Sequence, residues 1–207
     1  MVKQERAART RETLIRSAAE VFVRDGFTGA SLAAISTRAG VSSGALHFHF
    51  ASKAALADAV EESAAQELRE IGAREARAGA GELQHLVDVT HVVGGRLREG
   101  AVLRAGFGLS SDVSRTSHTD VRALWHAWVQ DALRRAAAGG ELRAGVTPAA
   151  ATAAVVAATV GFEALGSTDL SWLSRATLTQ FWLLLLPNLA ESAQGAALEA
   201  AGCTVPH

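Results

Sequence analysis

The 207-residue chain predicts an all-α protein. Three observations carry the prediction. It has only three prolines (Pro148, Pro187, Pro206). It is rich in alanine and leucine, both strong helix formers. Its apolar residues recur every three to four positions, with no sustained alternation of apolar and polar residues. The length suffices for a small N-terminal domain and a larger helical body with its own core. The boundary is placed at Lys53, giving domains 1–52 and 53–207.

The first helix spans roughly Thr10 to Asp25, where Leu14, Ala18, Val21 and Phe22 share a face, and Gly26 ends it. Ser31 is an N-cap ahead of Leu32 and Ile35. Gly40 tolerates the positive φ that terminates this second helix near Ala39. Val41 fills the following angle, and Ser42 caps a third helix from Ser43 to about Phe48. That helix is too short to stand without the packing of Leu46 and Phe50. A fourth starts near Lys53 and runs past Leu68, until ARAGAGE at 76–82 breaks it. Leu83 to Arg98 is amphipathic, and Ala101 to Leu109 is short and apolar. Asp112 to Asp120 is polar, a loop or the approach to a long helix ending near Ala138. Thr147-Pro148 is a cap with proline at the first helical position, opening an apolar helix from Ala149 to Leu165. The last helix runs from near Ser171 toward Ser192 with a bend at Pro187, and the tail after Gln194 is expected to fray.

Charge is asymmetric. Residues 1–53 hold eight Lys/Arg against four Asp/Glu, a balance of +4, and the other twelve basic and seventeen acidic residues give −5. A basic head on an acidic body suits phosphate binding at one end. Helices two and three have the helix-turn-helix layout, whose second helix enters the DNA major groove. The hydroxyls of Ser31, Ser42 and Ser43 suit phosphate oxygens. Gly44 and Ala45 let the backbone approach the groove, and an alanine methyl can meet a thymine methyl. His47 and His49 can donate to phosphates, and Lys53 can reach the DNA backbone. Lys3, Arg6, Arg9 and Arg11 form a basic arm for phosphate or minor-groove contacts, or else a solvated terminus. His47 and His49 do not suggest a metal site, because residues two apart on a helix diverge.

Residues 10–53 resemble the DNA-binding domain of the TetR family of transcriptional regulators. GVSSGALHFHFASK resembles its recognition segment and TRETLIRSAAEVFVRDGF its first helix. EGAVLRAGFGLS at 99–110, Trp125 and FWLLLLP at 181–187 resemble segments of γ-butyrolactone receptors and receptor-like repressors of streptomycete type. The resemblance supports DNA contacts at Ser42, Gly44, His49 and Lys53. It departs at Ser43, where Lys or Arg is common, and at His47, where Tyr is common. A lost base-reading lysine costs about 1–3 kcal/mol. The resemblance further implies a homodimer whose last two long helices pair into a four-helix interface, a palindromic double-stranded DNA operator, and a small-molecule signal that releases it.

Trp125 and Trp128 lie three apart on one helical face, so they form either a pocket wall or core. In the receptors a tryptophan matching Trp125 lines the lactone site. Val92, Phe107, Leu109, Phe162 and Trp182 are further candidates for the same site. The receptors also hydrogen-bond the lactone through a glutamine and a threonine, and an ungapped alignment places Ala64 and Phe162 there. A site missing both leaves a lactone's oxygens poorly satisfied, so beside the γ-butyrolactone that the resemblance implies, a butenolide, furan or related antibiotic is an expected ligand.

Other classes find little support. The charged N-terminus lacks a signal-peptide layout, and the apolar run at Trp182 to Leu186 is far short of a membrane span, so no membrane partner and a cytoplasmic location are expected. A lone Cys203 cannot form an intramolecular disulfide. No hydrolase, metalloprotease, P-loop or dinucleotide motif is present, so neither enzyme activity nor cofactor is expected. The departures at Ser43 and His47 leave a second reading open, an accessory signal-sensing dimer that binds DNA weakly.

Overall fold

Glycines at positive φ, Gly26 and Gly40 among them, and a set of hydroxyl caps divide the chain into its helices. The computed structural model describes residues 2–73, 80–191 and 197–203. Among these the α-helices are α1 (Val2–Gly29), α2 (Leu32–Ala39), α3 (Ser43–His49), α4 (Lys53–Gly72), α5 (Glu82–Glu99), α6 (Ala101–Ser110), α7 (Val121–Ala138), α8 (Pro148–Gly166) and α9 (Arg175–Leu189), with a 3₁₀ turn at Leu170–Leu173. They form two compact units: Met1–Leu68 with Gly100–Arg122, and Arg69–Glu99 with Ala123–His207.

In the first unit Leu14, Ala18, Val21 and Phe22 of α1 share a core with Ile35, Leu46, Phe50, Leu56 and Val60. Ala105 and Leu109 of α6 complete it, so Leu109, a ligand candidate by sequence, packs in this core. Its apolar side chain sits where α6 meets α1, so burial there accounts for it. Gly106 is required by close approach: a Cβ there would lie 2.3 Å from the Ala64 Cβ. Gly26 (φ 69°, ψ 173°) breaks α1 as the sequence indicates. The N-terminal boundary differs, however, since α1 begins at Val2 and not near Thr10. Alanine, arginine, glutamate and glutamine propagate helix well. The Thr10 and Thr13 hydroxyls donate back to the carbonyls of Arg6 and Arg9. The basic arm is therefore helical from its second residue.

In the second unit Leu83, Leu86, Val93 and Leu97 of α5 are buried, as are Trp125, Val129 and Leu133 of α7, Val155 of α8, and Leu178, Trp182 and Leu186 of α9. The Glu141 carboxylate caps α5, accepting from the amides of Glu82 (2.8 Å) and Leu83 (2.9 Å). The last helix starts at Arg175 instead of Ser171, because two caps divide the segment. Asp169 accepts from the Ser171 amide ahead of the 3₁₀ turn, and Ser174 accepts from the Thr177 amide ahead of α9. Helix α8, and not the run from Trp182 to Leu186, is the longest apolar element, long and apolar enough to cross a membrane by length and composition. It nevertheless buries Glu163.

The tail also differs from expectation. Residues 192–196 lie outside the described residues, but 197–203 are docked on α5 rather than frayed. Gln84 accepts from the Glu199 amide (2.7 Å) and donates to its carbonyl (3.3 Å). Asp88 accepts from the Cys203 amide at 2.8 Å, and Arg175 donates to the Gly202 carbonyl at 2.7 Å. His91 Nε2 lies 3.0 Å from the Ala200 carbonyl. These peptide groups are anchored by Gln84, Asp88 and His91, about one turn apart along α5, and by Arg175 at the start of α9, a tertiary arrangement that composition does not reveal.

Two outcomes are expected. Gly106→Ala should destabilise the protein by about 1–3 kcal/mol through overpacking, and adding Ala64→Gly should recover part of the loss in thermal unfolding. Burial, reinforced by Arg175, holds His91 below the ordinary histidine range, against the opposing effects of the Ala200 carbonyl and Asp88. Undocking returns it toward about 6.5, so protons favour the undocked tail as pH falls below that value. Docking should be full above pH about 6.5 and weaken on acidification, seen as faster amide exchange at 199–203 that His91→Gln flattens.

Candidate DNA-reading and ligand-sensing sites

The DNA-reading candidates lie in the first unit. Ser31 Oγ accepts from the Ala34 amide (3.1 Å) and Ser42 Oγ from the Ala45 amide (3.2 Å), so these hydroxyls start α2 and α3. Each keeps its O–H to donate outward, to a phosphate oxygen for instance. Between them Gly40 adopts the left-handed conformation (φ 66°, ψ 29°) and closes α2. Leu46 and Phe50 anchor α3 in the core. Ser43, Gly44 and His47 are exposed on its other side, while Ala45 and His49 are half-buried. A Cβ at Gly44 would meet only the Ser42 hydroxyl, at 4.0 Å. Nothing within the chain demands a glycine there, which fits close approach of an external surface.

Phe48 escaped the sequence reading. Its ring is 82% exposed and meets His49 edge-on at 5.2 Å. The signal was present: two residues beyond buried Leu46, a side chain emerges on the opposite face of the helix. An exposed aromatic here offers an apolar contact to a base edge. Arg9 is exposed on α1, and Arg11 lies over the Phe50 ring at 5.3 Å. Arg38 pairs with Glu20 and Arg24 with Asp25, so the formal charge of the head overstates its bare cations.

Lys53 is held differently from expectation. Its ammonium donates to the carbonyls of Phe27 (2.7 Å), Thr28 (3.2 Å) and Ala30 (2.8 Å), and sits 4.7 Å from the Phe27 ring centroid. An ammonium has three donors, and all three are committed. Lys53 thus ties the α1–α2 connection to the start of α4, where a phosphate contact would have to displace one of these bonds.

The ligand candidates of the second unit fall into two aromatic groups. Trp125 and Trp128 are stacked, with centroids 5.5 Å apart and planes at 12°, and His85 meets Trp128 edge-on. Both indole N–H groups have acceptors: Trp125 donates to the Thr159 hydroxyl (2.8 Å) and Trp128 to the Gly72 carbonyl (3.3 Å). The threonine beside Trp125 is therefore Thr159, almost one turn before Phe162. Phe162 belongs to the second group, against Trp172 (6.4 Å) and Phe181 (5.5 Å). Phe181 in turn meets Trp182 at 5.0 Å. Trp182 is fully buried, and its N–H has no acceptor among the described residues. Val92 is half-buried on α5.

The family described as bacterial regulatory proteins, tetR family, matches residues 14–60, which span the helix-turn-helix. The A-factor receptor protein of Streptomyces griseus is 30% identical over 196 residues, covering 92% of this chain and 67% of that protein. The chain belongs to the TetR family. Its fold is also similar to that of CprB from Streptomyces coelicolor, solved in complex with its biological operator sequence. The TM-score is 0.78 at 26% identity, covering 93% of this chain and 94% of that one. A γ-butyrolactone receptor described as ArpA-like gives a TM-score of 0.81 at 26% identity, covering 95% and 96% of the two chains.

For this TetR-family regulator the two kinds of basic residue separate by salt dependence. Arg9→Ala should reduce the slope of log affinity against log salt by about one phosphate contact. Lys53→Met should leave the slope unchanged and lower stability by about 1–3 kcal/mol, because the part-buried Phe27 and Ala30 carbonyls lose their charged donor. Fluorescence anisotropy across a salt series and thermal melts distinguish the two.

Proposed function

We propose that this TetR-family protein is a homodimeric, cytoplasmic transcriptional repressor that binds a palindromic double-stranded operator and leaves it when a small signalling molecule binds. Residues 1–52 read DNA and 53–207 sense the ligand and dimerise. The observation that carries the reading is α3, on which Ser43, Gly44, His47 and Phe48 are exposed while Leu46 is buried in the core. The operator complex of CprB, a relative in fold and sequence, supports it.

One short helix reads few bases, so useful specificity needs two heads at the spacing of successive major grooves, about 34–36 Å. The apolar surface for pairing is available. Leu165 of α8 is exposed with Ala153, Ala157 and Ala164, and on α9 Leu184 is 77% exposed beside Leu183. A stripe of small residues permits close packing of helices. Ligand binding releases DNA to the extent that it favours a geometry in which the heads miss their grooves.

Relatives include γ-butyrolactone receptors, and the proposed ligand is of that kind: a γ-butyrolactone, butenolide, furan or related antibiotic. The available chemistry is aromatic surface with few donors. Trp125 and Trp128 provide stacked walls, while the unpartnered Trp182 N–H would donate to a ligand oxygen. The protein acts as a regulator and not as an enzyme.

The test begins with a duplex selected from a randomised library on the wild-type protein. Tight, salt-sensitive binding that discriminates against a scrambled duplex supports the repressor. Equal, weak binding to both leaves the accessory dimer, as the departures at Ser43 and His47 would then explain. Leu184→Glu should yield a monomer in sedimentation and weaken operator binding by about a hundredfold, as two-headed avidity is lost.

A further inference from the structure

Glu61 of α4 is completely buried, an unusual place for a carboxylate. Its partner comes from the loop between α6 and α7. Arg115, with a side chain only 5% exposed, lies 2.7 Å from Glu61 and 2.5 Å from Asp58 one turn earlier on α4. Ser117 donates to the second Glu61 oxygen at 2.8 Å. The same guanidinium lies 5.4 Å from the Phe27 ring centroid, and the Lys53 ammonium sits 4.7 Å from that ring. Lys53 grips the Phe27, Thr28 and Ala30 carbonyls, and the next residue, Ser31, is the N-cap of α2. A continuous path of contacts thus runs, within the first unit, from the loop before α7 to the start of the helix-turn-helix.

We propose that Arg115 is a positioning residue for DNA reading, fixing α2 and α3 through Phe27 and Lys53, and that it is where ligand binding on α7 loosens the grip on DNA. The regulatory half of this proposal rests on the function proposed above. Two further observations favour it. Helix α7 starts at Val121, whose amide donates to Ser110 Oγ at 2.9 Å, and Ser110 also reaches Glu61 at 3.5 Å. Trp125 stands four residues along the same helix. A shift at the α7 N-terminus therefore bears on the Ser110–Glu61–Arg115 cluster. Once unseated, Arg115 leaves a buried carboxylate without its counter-charge, so the loop has one favoured seat and resists intermediate positions.

The test uses the full chain and the selected duplex. Arg115→Met, checked by circular dichroism to be folded at the assay temperature, should lose about tenfold in operator affinity, within the range of coupled sites. The slope against salt should not change, because no phosphate contact is removed. Arg115→Lys, which keeps the cation, should recover part of the loss. Unchanged affinity in the folded variant overturns the proposal, and so does a slope reduced by one, which would make Arg115 a phosphate ligand. If Arg115→Met does not fold, Phe27→Leu serves, since it keeps apolar bulk and removes the ring. The same loss at unchanged slope supports the proposal, and wild-type affinity overturns it. A wild type that fails to prefer the selected duplex instead overturns the DNA-binding reading underneath.

Discussion

A seven-residue helix does not persist in water, because its few backbone hydrogen bonds barely offset the entropy of forming it. Helix α3, the element that would meet DNA, is such a helix. Its shape and direction must come from its surroundings: the Ser42 cap at one end, Leu46 and Phe50 in the core, and the Gly40 turn that sets its angle to α2. Much of the first unit can be understood as the apparatus for this. Helix α6, remote in sequence, supplies Ala105 and Leu109 to the same core, and Gly106 lets it approach α4 closely enough to do so.

Features governed by local chemistry were legible in the sequence. Gly26, Gly40, Ser31, Ser42 and Thr147 act within a few residues of themselves, and their helix boundaries lie where those residue types dictate. Features governed by distant partners were not. Nothing near Lys53 indicates that its ammonium turns back to three carbonyls more than twenty residues earlier. Leu109 looks equally suited to a pocket or a core, and only the position of α1 decides between them. The docked tail depends on Gln84, Asp88 and His91, over one hundred residues away from the peptide groups they hold. Phe48 is legible in principle, two residues beyond Leu46 on the opposite face of the same short helix.

The aromatic residues of the second unit show how hydrogen bonding refines a reading made from hydrophobicity. All four tryptophans look alike as apolar bulk. The structure separates three of them, Trp125, Trp128 and Trp182, by whether the N–H is satisfied among the described residues. Trp125, bonded to Thr159, and Trp128, bonded to Gly72, offer faces and edges without a spare donor. Trp182 is the buried indole with its donor unmatched. An unsatisfied buried N–H carries a cost in the folded protein, which sets Trp182 apart from the two tryptophans whose donors are matched.

The buried Arg115–Glu61 pair carries a consequence for how this sequence can drift over generations. Replacing Arg115 alone strands the Glu61 carboxylate in the interior, and replacing Glu61 alone leaves the buried guanidinium only Asp58, whereas replacing both with well-packed apolar residues is often tolerated or even stabilising. Lineages related to this one should therefore keep the two residues together or lose them together, and single-step intermediates should be rare. The loop and α4 are bound into one inherited character, although fifty-four positions separate the two residues along the chain.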